Sequence, residues 1–379
     1  MDPDPPNNYR VDVSDLENLF NKLSQKGYGN VGPIFRDGAI MMDHLESFNE
    51  LPSGFYETLA KGSYGLQNKE DGSLFQYTVG PQSFKKFLQP ERRKLWQADR
   101  NAKWFEVKSE TQEQKLALWG IHSCELDALK TLDEVFINGS FRNEYYAQVR
   151  ENLFIIAVGC SNPSANCFCT TMNGGPKPDD NFDISLVEVL GEVPFFLLTS
   201  ATEKANELVS DLDFAKATAE EVSRADEILK KAEDCMEVRF DPQEVSRVLR
   251  NSPDDPHWEE VAQKCLSCAN CTMVCPTCFC TTTEDITDIT GDHTERWLKW
   301  DSCFNGDFSY IHGGQVRNST KSRYRQWLTH KMSNWYDQFG SAGCVGCGRC
   351  TTWCPVGIDL TEELKAINKN GKVDVSGVH

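Results

Sequence analysis

The sequence predicts a two-domain protein, with an α/β or α+β domain over residues 1–250 and a mainly helical domain over residues 257–379. Three observations predict this division. The chain has 379 residues, which is enough for two domains of ordinary size. Patterns typical of buried strands lie in the first part, whereas two long cysteine runs lie in the second. Between the two parts, residues 251–256 contain turn-forming residues and two prolines, as expected of a linker.

The N-terminal domain begins with a predicted amphipathic helix. Ser14 is the expected N-cap and Glu17 follows three residues later, which is the pattern of a capping box. Gly27 is expected to end the helix. Apolar residues recur at helical spacing between these ends, at Leu16, Leu19, Phe20 and Leu23. Residues 28–90 are rich in glycine and aromatic residues, which predicts small strands and turns.

A βα pattern follows in the middle of the chain. Residues 115–120 and 153–158 are short apolar runs typical of buried strands. The first leads into Cys124 and a predicted helix over 125–136, and the second leads into Cys160. Because ligands bind at the carboxyl ends of parallel strands, we expect these two cysteines to lie close together. The pattern continues with two further strands and a charged helical region, at 184–190, 195–199 and 202–236.

Composition narrows the possible functions. The formal net charge of −18 argues against nucleic-acid binding, which needs a basic surface. No apolar run approaches the ~20 residues that span a bilayer, and the N-terminus has no secretory pattern. We therefore expect a cytoplasmic protein with no membrane partner. Sixteen cysteines are many for a compartment that keeps thiols reduced, so cofactor binding is their expected use.

The two cysteine runs, at residues 265–276 and 344–355, share one spacing. Each reads C-x2-C-x2-C-x3-C-P, which is the spacing of iron–sulfur ferredoxins. In two-cluster ferredoxins the fourth cysteine of a run binds the cluster held by the other run. The spacing therefore predicts one 4Fe–4S cluster on Cys265, Cys268, Cys271 and Cys354. It predicts a second 4Fe–4S cluster on Cys344, Cys347, Cys350 and Cys275.

Structural zinc is the alternative use of these runs. Zinc sites usually combine two pairs of cysteines or histidines, whereas here a run of four cysteines followed by proline occurs twice. The spacing favours iron–sulfur clusters. The long insert between Cys275 and Cys344 includes a predicted helix over 319–335 and has no place in a small β-hairpin ferredoxin. We therefore expect a mainly helical dicluster 4Fe–4S ferredoxin domain.

Cysteines outside the runs suggest a third 4Fe–4S cluster. Its expected ligands are Cys124, Cys160, Cys167 and Cys169, unless these are structural thiols. Residues 166–171 also resemble residues 277–282, and this similarity points to a rival ligand set, Cys278, Cys280 and Cys303. With three thiols, the rival set needs a fourth ligand, such as Asp301 or Cys235.

A basic stretch lies in this acidic chain, and it either compensates cluster charge, faces an acidic partner subunit or is a solvated helix face. Its members are Arg317, Lys321, Arg323, Arg325 and Lys331. No G-x-G-x-x-G follows a predicted strand, and no nucleophile–base arrangement or carboxylate pair stands out. The sequence therefore favours an electron relay over a complete enzyme, with no catalytic residue predicted.

Beyond the cysteine spacing, the chain carries a family resemblance in residues 265–280, 291–303, 322–330 and 343–350, in 31–33 and 36–38 near the start, and in Cys124 and 167–169. In these segments it resembles the iron–sulfur beta subunit of cytosolic sulfhydrogenases, which are soluble NAD(P)-linked nickel–iron hydrogenases. The iron–sulfur subunit of anaerobic sulfite reductase is similar too. Ala165 and Asn166 stand where the family usually has Gly-Thr.

The resemblance implies a function. The chain would pass single electrons between a flavin-bearing, NAD(P)-binding subunit and the other redox subunits of a hydrogenase. Those others would be a nickel–iron large subunit together with a small iron–sulfur subunit. The iron–sulfur subunit of an anaerobic sulfite or polysulfide reductase is the alternative, and a zinc-stabilised scaffold without redox activity is a third.

Overall fold

The computed structural model describes residues 7–78, 80–101, 103–109, 114–236 and 240–370. In chain order the strands are β1 (Asn7–Val11), β2 (Gly29–Arg36), β3 (Ala39–His44), β4 (Phe55–Ala60), β5 (Ser63–Asn68), β6 (Arg92–Arg100), β7 (Phe105–Lys108), β8 (Leu116–His122), β9 (Leu153–Val158), β10 (Ile184–Val189), β11 (Phe195–Ser200), β12 (Ala215–Lys216), β13 (Thr281–Thr287), β14 (His293–Trp300), β15 (Tyr310–Ile311) and β16 (Gly314–Gln315).

Helices alternate with these strands. The α-helices are α1 (Val13–Gln25), α2 (Lys85–Leu88), α3 (Ser123–Phe136), α4 (Glu144–Glu151), α5 (Glu203–Ser210), α6 (Ala219–Asp234), α7 (Pro242–Asn251), α8 (His257–Lys264), α9 (Asn270–Met273), α10 (Thr320–Thr329), α11 (Trp335–Phe339), α12 (Arg349–Thr352) and α13 (Leu360–Asn370). Three 3-10 turns lie at Phe48–Glu50, Cys169–Met172 and Asp307–Ser309, and a π-helical turn lies at His330–Asn334.

The N-terminal part is built on a mixed eight-stranded sheet with the order β12-β1-β11-β10-β9-β8-β2-β3. The central strands β2, β8, β9 and β10 run parallel, and Leu116 of β8 pairs with Leu153 of β9. The outer pairs β2–β3, β10–β11, β1–β11 and β1–β12 are antiparallel. The predicted strands of the middle of the chain are therefore present, and β8 and β9 lie side by side.

Both faces of this sheet are covered, which explains why β8 and β9 are apolar along their whole length. Ala117 and Trp119 face a core that includes α1 and α5, whereas Leu116 and Leu118 face a core that includes α3 and α4. The α/β part of the predicted fold class is confirmed.

The first helix is present, but its N-cap lies two residues before the predicted one. Asp12 is the cap, and its carboxylate accepts a hydrogen bond of 3.0 Å from the Asp15 N–H. Asp15 Oδ2 in turn accepts one of 3.0 Å from the Asp12 N–H. Ser14 instead donates its hydroxyl to Asp12 Oδ1. The expectation for Ser14 and Glu17 was wrong, because a carboxylate two residues earlier supplies the same capping geometry.

The C-terminal part combines helices with strands. A buried core is shared by α7, α8, α10 and α13, around Trp258, Tyr324, Trp327 and Leu364. The insert between the cysteine runs also forms the hairpin β13–β14, and β14 pairs with β6 of the N-terminal part in a sheet of order β13-β14-β6-β7. A mainly helical C-terminal domain is thus not confirmed, because the insert finds pairing partners far away in the chain. The predicted boundaries at 1–250 and 257–379 stay a prediction.

No helix of the described residues is both long and apolar enough to cross a bilayer.

Candidate metal centres

The first cysteine group, called site 1, combines the first run with the last cysteine of the second run. Cys265, Cys268, Cys271 and Cys354 line one cavity, and Cys350 borders it. An apolar and aromatic wall completes the lining, with Phe304, Tyr324, Trp327 and Leu360. Among the four thiols Cys268 is exposed, so site 1 lies near the surface. The structure brings together the four residues that the spacing predicted.

The backbone around site 1 explains how one short loop presents several thiols to one cavity. Ser267 and Ala269 have φ values of +52° and +67°, in the left-handed region that non-glycine residues rarely adopt. The Ser267 N–H donates to Cys265 Sγ at 3.4 Å, and the Ile358 N–H donates to Cys354 Sγ at 3.3 Å. Backbone donors aimed at sulfur suit thiolate ligands, whose negative charge they stabilise.

The second group, site 2, consists of Cys275, which is buried, and of Cys344, Cys347 and Cys350, which are partly buried. Burial raises the pKa of Cys344 to about 12, and the neighbouring Cys275 and Cys347 thiols raise it further, against the opposing effect of Lys331. The pKa of the Cys350 thiol is raised in the same way, by burial and by the other three thiols. Such thiols stay protonated unless a metal displaces the proton. The donor set and its mutual proximity therefore fit a metal-bound group.

Lys331 lies directly against site 2. Its Nζ is 3.3 Å from Cys275 Sγ, 2.9 Å from Thr277 Oγ1 and 2.8 Å from the Gly343 carbonyl oxygen. The residue belongs to the π-helical turn between α10 and α11, and such turns are frequent at functional sites. The other residues of the basic stretch contact other partners. Lys321, for example, forms an ion pair with Glu259, with 3.5 Å between Nζ and Oε2.

The third group, site 3, lies at the carboxyl edge of the central sheet. Cys124, in the first turn of α3, and Cys160, after β9, line a cavity together with Cys167 and Cys169. His122, Met236, Cys347 and Arg349 complete much of the lining. Cys169 Sγ is 3.8 Å from Met236 Sδ. The structure thus gathers the four thiols that the strand pattern predicted at one sheet edge, and their binding of a cluster stays a prediction.

Sites 2 and 3 are in contact through their loops. The Phe168 N–H donates to the Gly346 carbonyl oxygen at 2.8 Å. Gly346 has a φ of +67°, and a Cβ there would lie 2.6 Å from the Cys169 nitrogen. A β-carbon on Gly348 would lie 2.5 Å from the Asn166 carbonyl oxygen. Glycine is required at both positions because the two cysteine loops approach each other so closely.

A buried ion pair links α3 to the second cysteine run and was not predicted from the sequence. Arg349 Nη2 donates to Glu125 Oε1 at 3.0 Å, and Arg349 Nε donates to the Gly80 carbonyl oxygen at 3.2 Å. Both side chains are inaccessible, with exposed fractions of 6% for Arg349 and 0% for Glu125. Each residue lies within two positions of a cysteine that lines site 3 or site 2, but no local pattern pairs residues this far apart in the chain.

The rival set, Cys278, Cys280 and Cys303, lies in a different place from site 3. Cys280 directly precedes β13 and Cys303 follows β14, where the Asp301 N–H donates to the Cys280 carbonyl oxygen at 2.9 Å. Cys235 is exposed at the end of α6, next to Met236 of site 3, so it is not a fourth member of this set. The two sets are therefore separate groups of thiols, and which of them binds a third cluster stays a prediction.

The spacing of the thiols bears on the choice between zinc and a cluster. Among the described residues, no three His, Cys, Asp or Glu side chains converge on a point that could hold a single metal ion. Ligand sulfurs lie about 2.3 Å from zinc and must therefore converge closely. A 4Fe–4S cage is larger and takes its four thiolates on separate irons. The four thiols that gather in sites 1 and 3 match the number of ligands that one 4Fe–4S cage takes.

Comparisons with known proteins agree with this chemistry. Residues 264–358 match the family model described as a 4Fe–4S dicluster domain. The C-terminal part therefore carries a 4Fe–4S dicluster domain. The chain is also 27% identical to the sulfhydrogenase 2 subunit beta of Pyrococcus furiosus over 354 residues, which cover 93% of this chain and 95% of that protein. The predicted resemblance to sulfhydrogenase beta subunits is confirmed. No solved structure matches this chain significantly.

Proposed function

We propose that this chain is an electron-transfer subunit of a multi-subunit cytosolic NAD(P)-linked nickel–iron hydrogenase. It passes single electrons among three partners: a flavin-bearing subunit that binds NAD(P), a small iron–sulfur subunit, and the nickel–iron large subunit. The dicluster domain supports the iron–sulfur chemistry. The similarity to a protein named as a sulfhydrogenase subunit supports the kind of complex.

The contiguity of the three thiol sites is the observation that carries the proposal. Cys350, a predicted ligand of site 2, borders the cavity of site 1. Cys347, another predicted ligand of site 2, borders the cavity of site 3. Site 2 thus lies between the other two sites and shares one bordering side chain with each. Electrons move between redox centres in a protein over short distances only, so three adjacent cluster sites are suited to a relay.

The chain's own residues would hold the clusters and control their surroundings. When bound, a 4Fe–4S cluster takes up or releases one electron at a time. Buried thiols and the aromatic wall of Phe304, Tyr324 and Trp327 exclude water, and N–H donors to cysteine sulfur stabilise negative charge. We propose 4Fe–4S clusters in sites 1 and 2, and a third in site 3, where four thiols share one cavity.

Site 1 is the proposed end of the relay that exchanges electrons with a partner subunit. Cys268 is exposed, and Leu266 and Val356 at the cavity are 64% and 42% exposed. Apolar side chains beside an accessible ligand favour docking of another protein. With a net charge of −18, neither a nucleic acid nor an anionic membrane surface is a suitable partner, and we propose a cytoplasmic complex.

Purification of the tagged chain without oxygen tests the proposal. We expect a brown complex that contains nickel and a flavin subunit, with about four iron atoms per occupied site. Cys160→Ala should lower the iron content by one cluster if site 3 is occupied. Copurification of a siroheme subunit instead would favour the sulfite reductase alternative. A folded, colourless chain that holds zinc and no iron would overturn the redox function.

A further inference from the structure

We propose that Cys278, Cys280 and Cys303 form a fourth iron–sulfur site, site 4, beside site 2 and separate from site 3. The inference extends the proposed relay and rests on the same class of cofactor. The observations that support it do not involve sites 1 and 3, because they concern the open end of one hairpin and two buried lysines.

The hairpin β13–β14 brings the three thiols together. Its outermost residues, Thr281 and Trp300, pair across the strands. Cys280 lies one residue before this pair and Cys303 three residues after it, and the Asp301 N–H donates to the Cys280 carbonyl oxygen at 2.9 Å. Cys278 enters the hairpin two residues earlier and is half-buried like the other two. Three cysteines therefore lie within three residues of the Thr281–Trp300 pair, where the chain enters and leaves one hairpin.

The same hairpin end touches site 2. Cys278 follows Cys275, a predicted ligand of site 2, by three residues. Lys85 Nζ donates to the carbonyl oxygens of Cys275 at 3.0 Å and of Cys278 at 2.9 Å, and it lies 3.9 Å from the centre of the Trp300 ring. One ammonium group thus faces the segment that joins the two sites.

Two buried cations here need negative charge. Lys85 and Lys331 are 3% and 5% exposed. Within the described part of the chain, neither forms an ion pair with a carboxylate, and their hydrogen-bond acceptors are carbonyl groups, Thr277 and Cys275 Sγ. An ammonium group is costly to bury without a counter-charge. Anionic iron–sulfur groups would supply that charge, at site 2 beside Lys331 and, through Cys278, at site 4 beside Lys85.

Cysteine thiolates are the usual ligands of iron–sulfur clusters, and this hairpin end carries three cysteines. Each thiol would release its proton to solvent as its sulfur binds iron. Three thiolates can bind three corners of a 4Fe–4S cage, and the Asp301 carboxylate beside Cys280 is the candidate ligand for the fourth iron.

Cluster counting on the complete chain tests site 4. Native mass spectrometry of anoxically purified wild-type protein should show the mass of four clusters. The Cys280→Ser, Cys303→Ser double variant should lose about four iron and four sulfide per chain, together with one component of the reduced EPR spectrum. Cys235→Ser is the matched control, because Cys235 is an exposed cysteine outside every site, and it should lose nothing.

Other outcomes separate this proposal from the function proposed above. Three clusters in the wild type, with unchanged iron and EPR spectra in the double variant, would show that site 4 holds structural thiols only, and the relay through sites 1 to 3 would stand. If the double variant does not fold, the wild-type mass decides alone. Complete absence of iron would overturn both proposals. Loss of a site 3 cluster from Cys160→Ala should add to the loss from the double variant.

Discussion

Sites 1 and 2 are built from cysteine runs of identical spacing, yet their surroundings differ. Site 1 includes the exposed Cys268 and is walled by aromatic side chains, and among the described residues that line it there is no lysine or arginine. Site 2 contains the buried Cys275 and three partly buried cysteines, and Lys331 Nζ lies 3.3 Å from Cys275 Sγ. The identical spacing predicts the same cofactor at both sites. The different surroundings predict different reduction potentials, because burial and nearby charge set the potential.

Removal of a site 1 ligand should produce the largest effect. Cys271→Ala is expected to lose about four iron atoms per chain and to destabilise the C-terminal part, because cluster binding contributes folding free energy to the ligand loops. Iron analysis and the EPR spectrum of reduced protein measure the loss, with Cys235→Ala as the control. An unchanged spectrum would contradict the ligand assignment and with it the comparison of the two sites.

Breaking the buried ion pair between Arg349 and Glu125 should have the next largest effect, which is on the free energy of unfolding. Glu125→Gln removes the charge of the carboxylate that pairs with the buried Arg349 guanidinium and is expected to lower the free energy of unfolding by about 3–5 kcal/mol. The double variant Glu125→Leu, Arg349→Met should recover most of this loss, since it removes both charges. Anoxic denaturant titrations measure these changes. Equal stabilities of Glu125→Gln and wild type would show that the pair does not join the two parts of the chain.

Lys331 provides the direct test of why sites 1 and 2 differ. Replacement by methionine removes a cation that stabilises the more negative, reduced state, so the potential of site 2 should fall. We expect at least a tenfold change in the one-electron equilibrium, which is about 59 mV. Site 1 should keep its potential. EPR-monitored redox titration measures both.

Two control variants separate charge from structure at this position. Lys331→Arg should keep the potential of site 2 close to the wild-type value. Lys321→Met, on the exposed part of the same basic stretch, should leave both potentials unchanged. Equal shifts at sites 1 and 2 in Lys331→Met would mean that the substitution acts through the fold rather than through local charge.

A smaller effect, a pH dependence of the free energy of unfolding, is expected from Glu57. This residue lies in the hairpin β4–β5, which packs against the second cysteine run. Burial raises the pKa of Glu57 to about 7, although its carboxylate accepts hydrogen bonds from Thr78. The folded protein therefore binds this proton more tightly than the unfolded chain. The resulting stabilisation is complete below pH 4.5 and is lost as pH rises towards 7.

Glu57→Gln should remove this dependence, which we expect to be roughly 1–2 kcal/mol between about pH 5 and pH 8. Denaturant titrations of wild type and variant at several pH values measure it. Parallel pH profiles of the two proteins would show that Glu57 is ionised in the fold. The test also reports on packing beside site 1. Tyr64 lies in the same hairpin as Glu57, and its ring stacks on that of Trp353 with 4.9 Å between ring centres.

Local patterns in the sequence predicted much of this architecture. The apolar runs at 153–158 and 184–190 became the strands β9 and β10, because unbroken apolar runs suit strands that are buried on both faces. The βα pattern also placed Cys124 and Cys160 at one sheet edge. The error at the first N-cap was one of register, since Asp12 and Ser14 are both good capping residues.

The sequence by itself determined the class of cofactor, because the spacing of cysteines within one short loop limits which metal group that loop can surround. Only the tertiary structure decided which distant groups meet. Pairing of β14 with β6 carries Cys280 and Cys303 away from site 3, and the folded core brings Lys85 and Lys331 to Cys275. These contacts join residues far apart in the chain, so they depend on the packing of the whole molecule rather than on any local pattern.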